Sequence, residues 1–186
     1  MKLKALEIPD VVLIELDVYR DDRGWFIESY NQRTLSRDFA SIGIALPAQF
    51  VQDNQSHSKK GVLRGLHYQK AKPQGKLLRV VRGKIFDVVV DLRRESPTFG
   101  QWSGIELRGD EPTTLWIPPG MAHGFYTLSD DVDVQYKCTE FYEPGDEACL
   151  QWNDPTLAIQ WPLHGEPVLS EKDRKGISWT EAIRFL

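Results

Sequence analysis

Two of the four histidines in this 186-residue chain stand where a proton could be moved. His67 ends the run Gly61-Val62-Leu63-Arg64-Gly65-Leu66-His67, and His123 ends Pro118-Pro119-Gly120-Met121-Ala122-His123. A neutral imidazole is the general base best matched to neutral pH. The run before His67 has the apolar character of a buried strand, yet it carries a guanidinium as well. Polar groups placed in an apolar interior are costly without partners, so this strand is expected to form one wall of a ligand pocket. Strict alternation would send Arg64 and His67 to opposite faces of a sheet. Both reach one pocket only if the strand bulges, and Gly65 between them is the expected place. A histidine by itself is most often a satisfied core residue. Here Arg64, Lys76 and His123 are each tied to their own strand or turn near the same barrel, which is more cationic chemistry than packing requires.

The elements that must position these groups read as strands. Val12, Ile14, Leu16 and Val18 alternate with more polar neighbours, the period-two pattern of a half-buried strand. A turn at Asp21-Asp22-Arg23-Gly24 leads to a strand over Trp25–Tyr30. Leu35, Phe39 and Ile42 are spaced for a helix over Thr34–Gly43, with Gly43 as its stop. Strands are then expected over Phe50–Asn54, Val62–Gln69, Lys76–Val81, Ile85–Asp91, Trp102–Leu107, Thr114–Ile117, Gly124–Leu128, Val132–Lys137 and Cys149–Trp152, separated by turn signals such as Arg82-Gly83-Lys84 and Ser129-Asp130-Asp131. Short helical pieces are expected near Ser170–Lys175 and Thr180–Leu186. Many short strands at regular spacing predict an all-β sandwich or barrel. With no repeat, linker or low-complexity tract, residues 1–186 are expected to be one domain.

Composition narrows the function. Charged residues make up 27% and hydrophobic ones 41%, as in ordinary globular proteins. A net charge of -4 argues against general nucleic-acid binding, though not against one anionic ligand in a locally basic pocket. The first residues lack the apolar core and cleavage site of a signal peptide, and no run is long enough to span a bilayer. Cys138 and Cys149 have no paired-cysteine spacing, so two reduced, buried thiols and a cytoplasmic location are expected.

The GxxxxxH and PxGxxH patterns resemble the two motifs of the cupin superfamily, a jelly-roll β-barrel. In metal-binding cupins the first motif continues HxH and then supplies a glutamate. Here Gln69 occupies the second histidine position, and Pro73 and Gln74 stand where the glutamate should be. Two histidines without a carboxylate make a poor site for a hard divalent ion, so no metal and no cofactor are expected.

A closer resemblance covers nearly the whole chain in order. Phe50-Val51-Gln52-Asp53-Asn54-Gln55-Ser56, Leu63-Arg64-Gly65-Leu66-His67-Tyr68-Gln69, Gln74-Gly75-Lys76-Leu77, Ser96-Pro97-Thr98-Phe99-Gly100, Trp116-Ile117-Pro118-Pro119-Gly120-Met121-Ala122-His123-Gly124-Phe125 and Trp152-Asn153-Asp154-Pro155 are similar to the dTDP-4-dehydrorhamnose 3,5-epimerases. That resemblance implies a cupin-like jelly roll with a few peripheral helices. The implied reaction inverts dTDP-4-dehydro-6-deoxy-D-glucose at C3 and C5 in dTDP-L-rhamnose biosynthesis. The family's base corresponds to His67, its acid on the opposite face to Tyr136, the carboxylate behind the base to Asp173, and the group facing the C4 oxygen to Lys76. Nucleotide and sugar contacts fall on Arg23, Phe26, Glu28, Gln52, Asn54, Arg64, His123, Tyr142, Glu147 and Lys172. The resemblance also implies a homodimer in which the partner's N-terminal strands supply some nucleotide contacts.

These residue types suit the chemistry. Inversion beside a ketone removes a proton from one face and returns one to the other through an enolate, whose oxygen needs a cation or donor. Tyr136 shares a strand face with Val132 and Val134, which aims its phenol into the barrel. Without the resemblance, a core tyrosine would be the better reading of Tyr136, and a solvated face that of Glu28 and Glu147. The alternatives are an epimerase acting at C3 or C5 alone, a keto-sugar ketoisomerase, a metal-dependent cupin and a non-catalytic sugar-nucleotide binding module. The presence of His67, Lys76, Tyr136 and Asp173 together favours the double epimerase.

Overall fold

The computed structural model describes residues 1–47 and 49–182. Two sheets lie face to face. The first has six strands in the order β1 (Lys2–Ala5), β2 (Val12–Glu15), β10 (Thr113–Ile117), β7 (Lys76–Arg82), β12 (Val132–Cys138) and β5 (Gln52–Ser58). The second has five, in the order β13 (Glu147–Cys149), β6 (Leu63–Gln69), β11 (Met121–Thr127), β8 (Lys84–Asp91) and β9 (Trp102–Arg108). Every pairing in the two sheets is antiparallel. A separate hairpin joins β3 (Val18–Asp21) to β4 (Gly24–Ile27). This is the expected cupin-like jelly roll.

Alternation along the strands divides the apolar residues into three layers. Leu78, Val80, Leu115, Ile117, Val132 and Val134 of the first sheet meet Ile85, Val89, Met121 and Phe125 of the second in the central layer. The outer face of the six-stranded sheet packs Val12, Ile14, Leu77 and Trp116 on Leu35 and Phe39 of the helix α1 (Gln32–Ser41). The outer face of the five-stranded sheet packs Leu66, Tyr68, Val88 and Val90 under Leu157 and Trp179 of the C-terminal segment. Each such fully buried side chain contributes about 1.5–3 kcal/mol relative to exposure. That segment carries two short helices, α2 (Glu171–Arg174) and α3 (Trp179–Ala182). Among the described residues no helix is long and apolar enough to cross a membrane.

The differences from expectation lie at element ends. The alternation from Val12 to Val18 is one strand by pattern but two in the structure. Thr113 pairs with Glu15, and the neighbouring Pro112 accepts from Leu16 N but has no N–H to extend the ladder. The α1 helix starts two residues early because Asn31 Oδ1 accepts from the amides of Arg33 and Thr34. The strand expected over Cys149–Trp152 lies instead at Glu147–Cys149, and Gln151 N bonds Ile177 O of the C-terminal segment. The edge strand β1 carried no sequence signal. Of the helix expected over Thr180–Leu186, residues 183–186 lie outside the described residues.

The expected irregularity at Gly65 is present. His67 pairs with His123 and Arg64 with Phe125, so β6 fits two residues between these pairs where β11 fits one. That extra residue resets the alternation, and Arg64 and His67 turn to the same side. The two strands touch through glycine at this point. A Cβ on Gly65 would lie 2.6 Å from Gly124 Cα and 2.7 Å from His123 O, and Gly65 has φ +116°. Gly65→Ala meets both the clash and the backbone strain. It should lower the unfolding free energy by at least about 2 kcal/mol, measured by urea denaturation; an unchanged midpoint would contradict the close approach.

Candidate active site

The bulge faces a cavity of ≈ 420 Å³ between the sheets. The six-stranded sheet lines it with Gln52, Asn54 and Ser56 from β5, Lys76 from β7 and Tyr136 from β12. The five-stranded sheet contributes Arg64, His67, His123 and Glu147, while Tyr142, Ser170, Lys172 and Asp173 close one side. The β5 strand has no hydrophobic alternation, because its inward residues face this cavity rather than the apolar core.

His67 has a carboxylate beside each ring nitrogen. Its Nε2 lies 2.8 Å from Asp173 Oδ1, and its Nδ1 lies 3.1 Å from Glu147 Oε1, off the line of a good hydrogen bond. Asp173 is itself fixed. Gly65 N donates to its Oδ1 at 3.1 Å, and Ser170 Oγ, the N-cap of α2, donates to its Oδ2 at 2.6 Å. Burial acts to raise the Asp173 carboxyl, but the bonds from His67, Ser170 and Gly65 outweigh it and bring the pKa to about 2. An ionised Asp173 selects the tautomer with the ring proton on Nε2, leaving the Nδ1 lone pair able to accept a proton.

The wall opposite supplies Tyr136 and Lys76, while His123 and Arg64 stand on the same sheet as His67. Tyr136 projects from β12, and burial pushes its phenol up to about 12, so it carries its proton throughout the neutral range. The Lys76 ammonium is deeply buried and forms no hydrogen bond or ion pair with another described residue. Burial pulls its pKa down, and Cys138, Asp87 and Glu147 oppose that. His123 Nε2 lies 2.8 Å from Asp87 Oδ2. Burial lowers the His123 pKa while Asp87 raises it. Arg64 is steadied by Ser58 Oγ at 3.0 Å and His57 O at 3.2 Å, with its guanidinium at the cavity mouth.

Of the fourteen site residues expected from the sequence, eleven line the cavity and three, on or beside the hairpin, do not. His67, Tyr136, Asp173, Lys76, Gln52, Asn54, Arg64, His123, Tyr142, Glu147 and Lys172 line one cavity. Arg23, Phe26 and Glu28 do not: Arg23 pairs with Asp21, Phe26 is 66% exposed, and Glu28 accepts from Asn31 near the surface. Glu147 is not on a solvated face. Its carboxylate receives Tyr142 OH at 2.5 Å and the Lys172 ammonium, and these partners hold it ionised against burial. Gln69 and Gln74, at the positions of absent cupin ligands, fasten loops. Gln69 Nε2 donates to Lys72 O and Phe141 O while its Oε1 accepts from Glu143 N, and Gln74 Nε2 donates to Glu140 O. Together they set the segment that presents Tyr142 and Glu147. The sequence reading missed Asp87 and Ser170. Their signals were a carboxylate inside the apolar run of β8, and a serine three residues before Asp173 at capping distance.

A family model described as dTDP-4-dehydrorhamnose 3,5-epimerase matches residues 5–181. The chain belongs to that family. It is 53% identical over 185 residues to the dTDP-4-dehydrorhamnose 3,5-epimerase of Pseudomonas aeruginosa, covering 100% of this chain and 99% of the relative. Among solved structures, a dTDP-6-deoxy-D-glucose-3,5-epimerase from Legionella pneumophila in complex with dTDP-4-keto-L-rhamnose aligns with a TM-score of 0.88 at 47% identity, covering 95% of this chain and 92% of that one. A 3'-monoepimerase from Streptomyces bikiniensis in complex with dTDP-quinovose aligns with a TM-score of 0.87 at 33% identity, covering 96% and 88%. The epimerase family therefore shares this frame between double and single inversion. Like its family, this chain is an isomerase.

The Asp173 geometry makes a stability prediction. Its pKa is depressed in the fold, so its contribution is complete above the ordinary value of 3.8 and is lost as the pH falls through about 2. In urea titrations the stability gap between the parent and Asp173→Asn should be constant at higher pH and should narrow across that window. A gap independent of pH would show that the depressed carboxyl is absent.

Proposed function

We propose that this chain, acting as one jelly-roll domain, epimerises dTDP-4-dehydro-6-deoxy-D-glucose at C3 and C5 to dTDP-4-dehydro-L-rhamnose. The observation that carries the reading is the opposition of a carboxylate-backed imidazole and a protonated phenol across one cavity. His67 Nδ1 takes the proton from the carbon beside the C4 ketone, with Glu147 moving aside to admit the sugar. Asp173 stabilises the imidazolium and holds the ring in line. As charge moves onto the C4 oxygen, Lys76 gains the anionic partner that its buried site lacks, and this favours the enolate. Tyr136 then returns a proton to the opposite face, inverting the carbon. Both C3 and C5 adjoin the same ketone, so one Lys76 serves both steps. Arg64, at the mouth, suits the diphosphate, and Gln52, Asn54, Tyr142 and Lys172 suit the nucleotide and sugar.

The active form in this proposal is a homodimer working in the cytoplasm. Tyr19, Trp25 and Phe26 on the β3–β4 hairpin are 62%, 57% and 66% exposed, an apolar surface suited to a second copy of the chain. Docking there would carry Arg23, Phe26 and Glu28 to the partner's cavity, which explains why they do not line their own. The two unpaired, buried cysteines suit a reducing compartment.

In deuterated water, NMR of the dTDP-4-keto-6-deoxy sugar should show deuterium at both C3 and C5. His67→Ala should slow this by about 100-fold or more, the scale of a lost general base. Tyr136→Phe should still exchange deuterium but with inversion lost, because the enolate is reprotonated from the face it left. Exchange at one carbon alone would make the protein a single epimerase. Sedimentation of the parent should give a dimer, and Trp25→Asp with Phe26→Asp should shift it toward monomer; a monomeric parent would remove the partner's hairpin from the site.

A further inference from the structure

Behind the catalytic imidazole lies a third potential ligand that the reaction leaves unused. Cys149 on β13 sits directly opposite His67 on β6. One donor atom each from His67, Cys149 and Asp173 lies within 4.8 Å of the others. His67 meets Asp173 through Nε2, at 2.8 Å from Oδ1. We propose that His67, Cys149 and Asp173 form an inhibitory site for a thiophilic divalent cation such as Zn²⁺ or Cd²⁺. His67 alone of the three stands at a cupin ligand position; Cys149 and Asp173 do not, and Gln69 and Gln74 are occupied in fastening loops.

Nitrogen, thiolate and carboxylate together are a donor set for a borderline-soft ion. Zinc bonds of about 2.0–2.3 Å place tetrahedral donors roughly 3.5 Å apart, so modest side-chain movements close the trio on an ion. Two of the three donors, His67 and Asp173, line the cavity, which gives an ion a route to the trio. The surroundings also match what metal ligands require. A metal-bound histidine normally gives its other N–H to a carboxylate, and Glu147 Oε1 already stands 3.1 Å from Nδ1. Asp173 is oriented by Gly65 N–H and Ser170 Oγ.

Binding silences the base by changing its tautomer. The ion takes the Nε2 lone pair and the thiolate, the thiol proton leaves to solvent, and the single ring proton moves to Nδ1. There it points at Glu147, and the ring can no longer accept a proton from a sugar. The inhibition, though not the binding, rests on His67 being the base.

Cd²⁺ titration of the purified protein reads binding without turnover, through the ultraviolet thiolate-to-cadmium charge-transfer band. The parent should show the band, saturating at one equivalent. Cys138→Ser should keep it, and Cys149→Ser, checked for folding by circular dichroism, should lose it. Saturating Zn²⁺ should slow the parent by about 100-fold, the scale of removing its general base, and a chelator should restore it. Cys149→Ser should remain active and resist the same Zn²⁺ concentration. No band in the parent, a band lost in Cys138→Ser, or one retained in Cys149→Ser would overturn the site. If Cys149→Ser fails to fold, the parent and Cys138→Ser titrations still decide. A band without inhibition would leave the cation site standing and count against His67 as the base.

Discussion

The site depends on one extra residue in a strand. Because β6 places two residues where β11 places one, Arg64 and His67 leave the same side of the sheet. Gly65 can occupy the bulge because the backbone of Gly124 approaches where a side chain would otherwise stand. The same bulge aims Gly65 N–H at Asp173, so the irregularity that orients His67 also anchors the carboxylate behind it. Strand geometry and catalytic geometry are here a single constraint.

The polar groups gathered around that bulge would destabilise the fold if they stood alone, since an uncompensated buried charge is expensive. Most are therefore paired. His123 is held by Asp87, Glu147 by Tyr142 and Lys172, and Asp173 by three donors. Lys76 is the exception, buried with no hydrogen bond or ion pair among the described residues, and it faces the space where the proposed enolate would form. The paired groups make the site rigid, and the unpaired cation gives it a preference for developing negative charge.

The absent cupin ligands show how a shared frame changes chemistry. Gln69 and Gln74 keep the places of metal-binding side chains but spend their amides on backbone carbonyls and an amide of residues 72 and 140–143. What a metal cupin invests in coordination, this chain uses to fix the loop bearing Tyr142. The imidazole of His67 is left with a carboxylate partner, which is the condition for moving protons.

Period-two alternation in Val132–Val134–Tyr136 and the charge misplaced in Leu63–His67 made the barrel and its reactive wall legible, because burial on one face is written locally in every second residue. The resemblance of the ordered motifs to a known family, rather than alternation, implied most of the site. Other features could not be read locally. The polar β5 strand, expected only as far as Asn54, shows no hydrophobic alternation because the cavity, not a core, lies beneath it. Glu147 looks like a solvated acid until β13 folds it against His67. The position of Cys149 beside Asp173 and the His67 ring exists only through the pairing of β13 with β6 and the docking of α2 on that sheet. Residue types and alternation are properties of the chain, whereas distances between residues far apart in sequence arise only when the sheets close.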